Sequence, residues 1–260
     1  MLFFWKTISA RIRYSWRWGA AHLIISGLLV GLVATLIYLD WYPMPWARML
    51  NVTKIVWVLA FVDLLCGPFL TLVLVSPKKQ KKTLIIDLAL VGLIQFASLV
   101  YGVWVIYSAR PVAVVFEVDR LVLITANQLP VNFSTSNFKP DNIARLADLP
   151  VFDIRKPANQ KEYLDSLNLS LQGLPTSLRP GWWQSFDERS KSELVAKLKP
   201  LDKLGVKDEQ HRREISKIVK KQPVKSEFFY IPLVSEKNLD WIAITRSDGE
   251  IVDYAPVDGF

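Results

Sequence analysis

The chain contains very little cysteine and histidine. Its 260 residues include one cysteine, Cys66, and two histidines, His22 and His211. A single cysteine excludes an intramolecular disulfide bond, and these three side chains leave little material for a metal site built from imidazole and thiolate ligands. The two histidines are also far apart in the sequence, which gives a histidine-based catalytic arrangement no support. We therefore expect the protein to bind no metal and no other cofactor.

Common catalytic and nucleotide-binding motifs are absent as well. The sequence contains no G-x-x-x-x-G-K-[ST] loop, no G-x-S-x-G nucleophile turn and no H-E-x-x-H zinc motif. No other residues combine into a recognisable catalytic set. The sequence therefore predicts a protein that is not an enzyme.

Acidic residues are scarce in the first 107 residues, which carry ten Lys or Arg and three Asp or Glu. Residues 108–260 carry 22 and 21, so nearly all of the formal net charge of +8 lies in the first part. A nucleic-acid-binding protein would concentrate its cations on a folded basic surface. Here the excess lies in two short clusters beside apolar stretches, so we do not expect the chain to bind nucleic acid.

Three apolar stretches in this first part are long enough to cross a lipid bilayer. They cover residues 20–39, 55–75 and 84–107, and a transmembrane helix needs roughly 20 apolar residues. The sequence predicts a three-helix transmembrane domain over residues 19–107, preceded by a basic and aromatic arm at residues 1–18. Residues 108–260 have the composition of a soluble polypeptide and are predicted to form a separate domain.

Positive charges predict the orientation of the three helices. Short loops rich in Lys and Arg stay in the cytoplasm, and the loop between the first two stretches carries only Arg48 and Lys54. The N-terminus is therefore predicted to be cytoplasmic and residues 108–260 to lie outside. The cations of the arm and of the second loop are Lys6, Arg11, Arg13, Arg17, Lys78, Lys79, Lys81 and Lys82.

Aromatic residues support the same orientation. Trp and Tyr are enriched at membrane–water interfaces, and the predicted topology brings five of them to the outer one. These are Trp41, Trp46, Trp57, Trp104 and Tyr107.

The outer domain is predicted to be a small α+β domain with a mostly antiparallel sheet. Residues 111–118 and 121–126 are β-rich runs around Asp119 and Arg120, which indicates a hairpin. Runs at 228–234, 239–245 and 251–257 repeat this pattern near the C-terminus, and segments 181–204 and 206–222 are typical of helices. Arg110 and Pro111 mark the boundary with the membrane domain. Residues 127–179 show no assignable pattern.

Asp63 is the most informative polar residue of the membrane domain. It lies eight residues into the second stretch, which corresponds to a depth of about 12 Å below the outer interface. Ionisable residues at such depth are costly and usually face a partner or a cavity. One interpretation is a contact with the transmembrane helix of a partner. The other is a protonated or internally hydrogen-bonded Asp63 that locks the three helices together.

Other residues near Asp63 extend this candidate site. Pro68, after Gly67, removes one helix hydrogen bond and predicts a kink, while Thr71 is placed to satisfy a freed carbonyl group. Gln95 in the third stretch is expected to form an interhelical hydrogen bond.

Asp87 suggests an aspartyl-protease dyad with Asp63, but their depths argue against it. Asp87 lies about 5 Å from the inner end of its helix, while Asp63 enters from the other side. Across a core of about 30 Å the two carboxylates would be separated by more than about 10 Å, and a shared-proton dyad needs near contact. Asp87 is instead expected to pair with neighbouring lysines.

Three motifs, VDLLCGPFLTLVLVSPKK, IIDLAL and VFEVDR, occur in order at residues 62–120. They are accompanied by His22-Leu23, Trp41-Tyr42-Pro43, Gln95, Tyr101-Gly102, Arg110-Pro111 and the C-terminal pattern over residues 228–258. In these residues, most specifically at 62–120, the sequence resembles the TfpX/TfpZ family of type IV pilin accessory proteins over most of its length.

This resemblance implies a multi-pass protein of the bacterial inner membrane that assists a cognate major pilin, with a periplasmic C-terminal domain and no enzymatic activity. The implied partner contacts are the pilin's transmembrane helix and its periplasmic head. Pilins as a class carry a free N-terminal amine in that helix, and Asp63 is a candidate to pair with it.

A second hypothesis is a membrane-anchored subunit of a transporter or an envelope sensor, whose outer domain binds a ligand. A neighbouring pilin gene would favour the first hypothesis, and adjacent permease or kinase genes would favour the second.

Overall fold

The polypeptide forms two units. The computed structural model describes residues 2–130, 145–147, 149–206, 208–221 and 227–260, with side chains from residue 13 onward except those of residues 145 and 146. The first unit consists of Met1–Tyr42 and Asn51–Ser108, and the second of Pro43–Leu50 and Ala109–Phe260. The side chains of Lys6 and Arg11 lie outside the described part, as do residues 131–144 of the stretch without an assignable pattern.

The first unit contains three helices that are long and apolar enough to cross a membrane, which confirms the three predicted helices. Span 1 is Arg13–Trp41, span 2 is Val52–Leu74 and span 3 is Lys81–Ser108. Span 1 belongs to a helix that already begins in the predicted arm. The helices are α1 (Leu2–Leu36) with a π-helical turn (Ile37–Trp41), α3 (Val52–Phe61), α4 (Gly67–Leu74) and α5 (Lys81–Ser108), while α2 (Trp46–Met49) belongs to the second unit.

Span 2 is interrupted by a π-helical turn, Val62–Cys66, between α3 and α4. Pro68 follows as the second residue of α4, and proline both lacks an N–H group and clashes with the preceding turn of a regular helix. A π-helical turn widens the backbone at such a point. The disturbance that the sequence predicted at Gly67–Pro68 therefore takes the form of a π-helical turn that contains Asp63.

Span 2 packs against both other spans. Two glycines allow the close approach, because a Cβ atom on Gly19 would lie 2.7 Å from Leu72 of span 2, and one on Gly102 would lie 2.5 Å from Leu59. Small residues at helix contacts are typical of membrane bundles, where close packing rather than the hydrophobic effect holds helices together.

The second unit contains a nine-stranded sheet among its described residues, in the order β3-β4-β1-β2-β7-β8-β9, with β5 on β4 and β6 on β7. The strands are β1 (Pro111–Glu117), β2 (Arg120–Thr125), β3 (Arg145–Leu146), β4 (Leu149–Ile154), β5 (Trp183–Ser185), β6 (Lys199–Pro200), β7 (Phe229–Ser235), β8 (Asn238–Thr245) and β9 (Ile251–Ala255).

The sheet is mixed and mostly antiparallel, as the sequence predicted, because six of the eight strand pairings among the described residues are antiparallel and two are parallel. Strands β1 and β4 pair in parallel, as do β2 and β7, while the hairpins β1–β2, β7–β8 and β8–β9 are antiparallel. Parallel neighbours need a long crossover connection. Neighbouring sequence runs reveal hairpins, but they do not reveal which distant strands pair.

Three helices accompany the sheet: α6 (Gln160–Leu171), α7 (Glu188–Val195) and α8 (Glu209–Lys221). The prediction of a helix over residues 181–204 is wrong outside α7, because Trp183 begins strand β5 instead. Its ring is buried and stacks on Phe152 at 4.9 Å, and its Nε1 donates to the carbonyl oxygen of Ser177. Helix α7 begins only at Glu188, after the N-cap residue Asp187, whose carboxylate accepts from the backbone N–H of Ser190.

Both faces of the sheet are buried. Side chains alternate across a strand, so Val114 and Phe116 of β1 enter one core cluster and Ala113 and Val115 enter another. A third cluster lies around Ile242 of β8 and receives side chains from α8.

The segment Pro43–Leu50, which connects spans 1 and 2 in the sequence, is part of the core of the second unit. Trp46 is fully buried, its Nε1 donates to the carbonyl oxygen of Ala147 at 3.0 Å, and its ring contacts Tyr254. The amide of Asn238 donates to the carbonyl oxygen of Met49. The expectation that Trp46 belongs to an interfacial aromatic belt is therefore wrong, because its ring fills the core of the sheet domain.

Replacing Trp46 with Ala should destabilise the second unit. The change removes a fully buried aromatic side chain and leaves the Ala147 carbonyl without its donor, which typically costs about 3–5 kcal/mol and lowers Tm by on the order of 10 °C in a unit of this size. Thermal unfolding of the purified protein in detergent measures the shift. The matched control is Met44→Ala in the same segment, whose side chain is 71% exposed. Equal Tm values for the two variants would contradict the structure.

Candidate functional site

The carboxylate of Asp63 is buried without a partner. The residue lies in the π-helical turn of span 2 and is 4% exposed. Within the described part of the chain, neither of its carboxylate oxygens has a hydrogen-bond partner. A buried polar atom without a partner is rare because it carries the full cost of desolvation, about 1–3 kcal/mol. Such an atom in a native structure is explained by local strain, by a functional role, or by a bound water, ion or ligand.

Gln95 of span 3 is hydrogen-bonded to the backbone of Asp63. Its Nε2 donates to the carbonyl oxygen of Asp63 at 3.0 Å. Pro68 has no N–H group to donate to a carbonyl oxygen of the preceding turn. The side-chain amide of Gln95 donates to a carbonyl oxygen of that turn instead. The amide nitrogen of Gln95 faces a carbonyl oxygen, which fixes the assignment of the two amide atoms. The Oε1 atom has no partner among the described residues.

Gly67 makes room for Gln95. A Cβ atom at this position would lie 2.1 Å from the Gln95 amide, which is far inside van der Waals contact. Gly67 and Pro68 are both buried, so their immediate role in this structure is to bring spans 2 and 3 together.

Thr71 contacts span 1. Its hydroxyl group, which the sequence assigned to a freed carbonyl, is hydrogen-bonded to Nδ1 of His22 over 2.6 Å. The five residues Asp63, Gly67, Pro68, Thr71 and Gln95 therefore all face the other spans. His22 joins them; the sequence marked it only as part of the matching pair His22-Leu23 and not as a site residue.

An apolar groove lies beside Asp63. It has a volume of about 200 Å³ and is partly open. We call it the Asp63 groove, and its lining residues are His22, Ile25, Ser26, Leu29 and Val30 of span 1, Asp63 of span 2, and Gly92, Gln95, Phe96 and Leu99 of span 3.

The chemistry of the Asp63 groove selects its ligand. The three unpartnered atoms of this groove, two of Asp63 and one of Gln95, are oxygens, and all three are acceptors when the carboxylate is ionised. A ligand that satisfies them must bring hydrogen-bond donors, and an ammonium group would add charge to the interaction. The remaining lining is mostly apolar and includes Gly92, whose Cβ position has no atom within 4 Å. The groove therefore suits an apolar helix that carries a donor group.

Asp87 is separate from this site. Its carboxylate forms an ion pair with Nζ of Lys79 at 2.5 Å, and it does not line the Asp63 groove. Lys78 is an exposed residue of the turn before α5, while Lys81 and Lys82 begin that helix.

The boundary and hairpin residues lie in the second unit. Arg110 accepts a backbone hydrogen bond from Ala126 next to Pro111, the first residue of β1. Asp119 and Arg120 form an ion pair at 2.8 Å, and the Arg120 guanidinium lies 4.5 Å from the centre of the Phe260 ring.

A second cavity, of about 500 Å³, lies in the second unit. Its lining includes Val151, Phe186, Leu194 and Ile251, together with Tyr254 beside the buried Trp46. Burial raises the pKa of Tyr254, so its hydroxyl group stays neutral at physiological pH. None of the described side chains that line this cavity has a buried polar atom without a hydrogen-bond partner, in contrast to the Asp63 groove.

Proteins of Dichelobacter nodosus are similar to the chain. The fimbrial assembly protein of serogroup I is 29% identical over 247 residues, which cover 92% of this chain and 93% of the relative. That of serogroup E1 is 29% identical over 249 residues with the same coverage. That of serogroups C1 and C2 is 38% identical over 108 residues, which cover 42% of this chain and 82% of the relative. No family model matches, and no solved structure matches.

Proposed function

The chain belongs to the family of fimbrial assembly proteins, and from this membership we propose that it is a non-enzymatic membrane protein that holds the pilin of its own fimbria for assembly. The names of the relatives support a role in fimbrial assembly. The resemblance of residues 62–120 to the TfpX/TfpZ type supports the finer assignment to a pilin accessory protein.

One observation carries the proposal: an unpartnered buried carboxylate in an apolar groove within a bundle of membrane-type helices. A pilin before assembly offers a single apolar helix, which matches the apolar lining. Its N-terminal amine offers the donors that Asp63 and Gln95 lack. Filling the groove with such a helix removes the desolvation cost of the orphaned acceptors, so the partner contributes stability that the isolated chain does not have.

We place the chain in the bacterial inner membrane, with the N-terminus in the cytoplasm and the second unit in the periplasm. The clusters of Lys and Arg at residues 6–17 and 78–82 support this orientation. The segment between spans 1 and 2 and the residues after span 3 belong to the same unit, which supports placing both on one side of the membrane.

Cysteine labelling tests the orientation. In a Cys66→Ser background, Met44→Cys should react with a membrane-impermeant thiol reagent once the outer membrane is permeabilised, since Met44 is strongly exposed. Lys78→Cys should react only after the inner membrane is broken as well. Labelling in the reverse order would overturn the proposed topology.

Changes at Asp63 test the contact itself. Asp63→Asn keeps one acceptor and removes the charge, whereas Asp63→Leu removes both. We expect the pilin recovered with the detergent-solubilised protein to fall from wild type to Asn to Leu, by roughly tenfold overall, which corresponds to about 1.4 kcal/mol. Quantitative immunoblotting of the co-purified pilin measures this order. Unchanged recovery with both variants would remove Asp63 from the contact.

A blocked groove tests where the partner helix lies. Gly92→Leu should fill the Asp63 groove without a clash, since no atom lies within 4 Å of the Gly92 Cβ position. Pilin recovery should fall while the Tm of the protein stays close to that of the wild type. Gly31→Leu is the matched control, because its Cβ position is equally open and Gly31 does not line the groove. Equal pilin recovery with the two variants would show that the helix binds elsewhere.

A further inference from the structure

Helix α6 of the second unit exposes large apolar side chains. Tyr163, Leu164, Leu167 and Leu171 are between 46% and 81% exposed. Their spacing of one, four and eight residues from Tyr163 places them along one side of an α-helix. We call these four residues the leucine face.

The side of α6 next to the leucine face is anchored by polar contacts. Ser166 is buried, and Nη2 of Arg179 donates to its Oγ at 2.7 Å and to Oγ of Ser170 at 3.3 Å. Arg155 forms a bidentate ion pair with Glu162 in the first turn, and this pairing lowers the pKa of Glu162 to about 2. The helix therefore attaches through its serine side, and its leucines point away from the described part of the domain.

This arrangement inverts the usual amphipathic helix, which buries its apolar stripe and exposes its polar side. Contiguous exposed apolar patches of a few hundred Å² mark interaction sites in soluble proteins. With about 200 Å² for each fully exposed residue, the leucine face exposes roughly 450 Å².

The charges beside the leucine face argue against a lipid surface as its occupant. Helices that lie on membranes carry Lys and Arg on their polar side. In α6 the only cation is Lys161, which is balanced by Asp165, and Glu162 is paired with Arg155.

The area of the face argues against a second copy of the chain. A stable interface buries about 800 Å² on each partner, and the leucine face supplies little more than half of that. A partner held nearby by another contact needs less area, since tethering raises its effective concentration to about millimolar.

We propose that the leucine face docks the folded extracytoplasmic part of the same single-span protein whose helix occupies the Asp63 groove. This inference rests on the proposed function. It assigns a second contact on the partner, with apolar side chains on both sides and no charge pairing. The partner is bound at two places, one in the membrane and one outside it.

Site-specific photocrosslinking in cells tests the docking surface. A photoreactive amino acid at Leu167 should capture the pilin, and one at Asp165, on the other side of the same helix, should capture it at least fivefold less. A third position, Phe96, lines the Asp63 groove and is 61% exposed, and it reports the membrane contact in the same cells.

The outcomes separate the two proposals. Capture of pilin from both Phe96 and Leu167 supports both. Capture from Phe96 alone overturns the leucine face and leaves the proposed function intact, whereas capture from neither position overturns the proposed function too. A crosslink from Leu167 to a lipid, to a second copy or within the same chain also overturns the docking surface.

Paired substitutions provide the second measurement. Leu167→Ser with Leu171→Ser should lower pilin recovery roughly tenfold, because two exposed leucines lose their burial in the complex. Their exposure predicts an unchanged Tm. Lys161→Ser with Asp165→Ser is the matched control and should leave recovery unchanged. Equal recovery with the two pairs would overturn the docking surface.

Discussion

The hydrogen bond from the Gln95 amide to the Asp63 carbonyl oxygen is the interaction on which the membrane unit depends. Pro68 withholds an N–H group from the preceding turn, and Gly67 leaves the space through which Gln95 reaches that turn. The amide oxygen of Gln95 and both carboxylate oxygens of Asp63 are buried without a partner among the described residues. A helix defect, a glycine and a cross-helix amide thus combine into a site that offers acceptors only. The apolar surroundings make those acceptors costly to leave unsatisfied, and this cost favours a partner that brings donors.

Each of the two proposed contacts contains side chains whose polarity does not match their surroundings. Inside the membrane unit, a carboxylate is buried among apolar side chains. In the second unit, helix α6 is anchored through its serines to Arg179, and its leucines are exposed. Each arrangement is unfavourable in the isolated chain and becomes favourable when a partner covers it. Binding at both places would let the chain retain its partner until other contacts, for example with other subunits, replace either of the two.

The sequence predicted the membrane half better than the outer half. Asp63, Pro68 and Gln95 are conspicuous because polar residues and proline are rare in apolar spans, and the structure brings these residues together. Gly92 and Ser26 have no chemistry to mark them, so only their position beside the groove identifies them. Trp46 was misplaced because an aromatic residue between two spans has the same local pattern whether it meets lipid or a distant sheet. Helix α6 has a start signal in Asn159 and Glu162, since the Asn159 side chain accepts from the Glu162 N–H, but its apolar residues do not reveal on which side the domain lies.

The segment Pro43–Leu50 gives the chain an order of assembly. Trp46 and Met49 complete a core whose other members are synthesised after residue 108. The first loop must therefore wait until the residues after 108, more than half of the polypeptide, are synthesised and enclose it. A fragment that begins at Ala109 would carry an unfilled hole where the indole belongs, so the sheet domain is a product of the whole polypeptide and cannot be regarded as a detachable module.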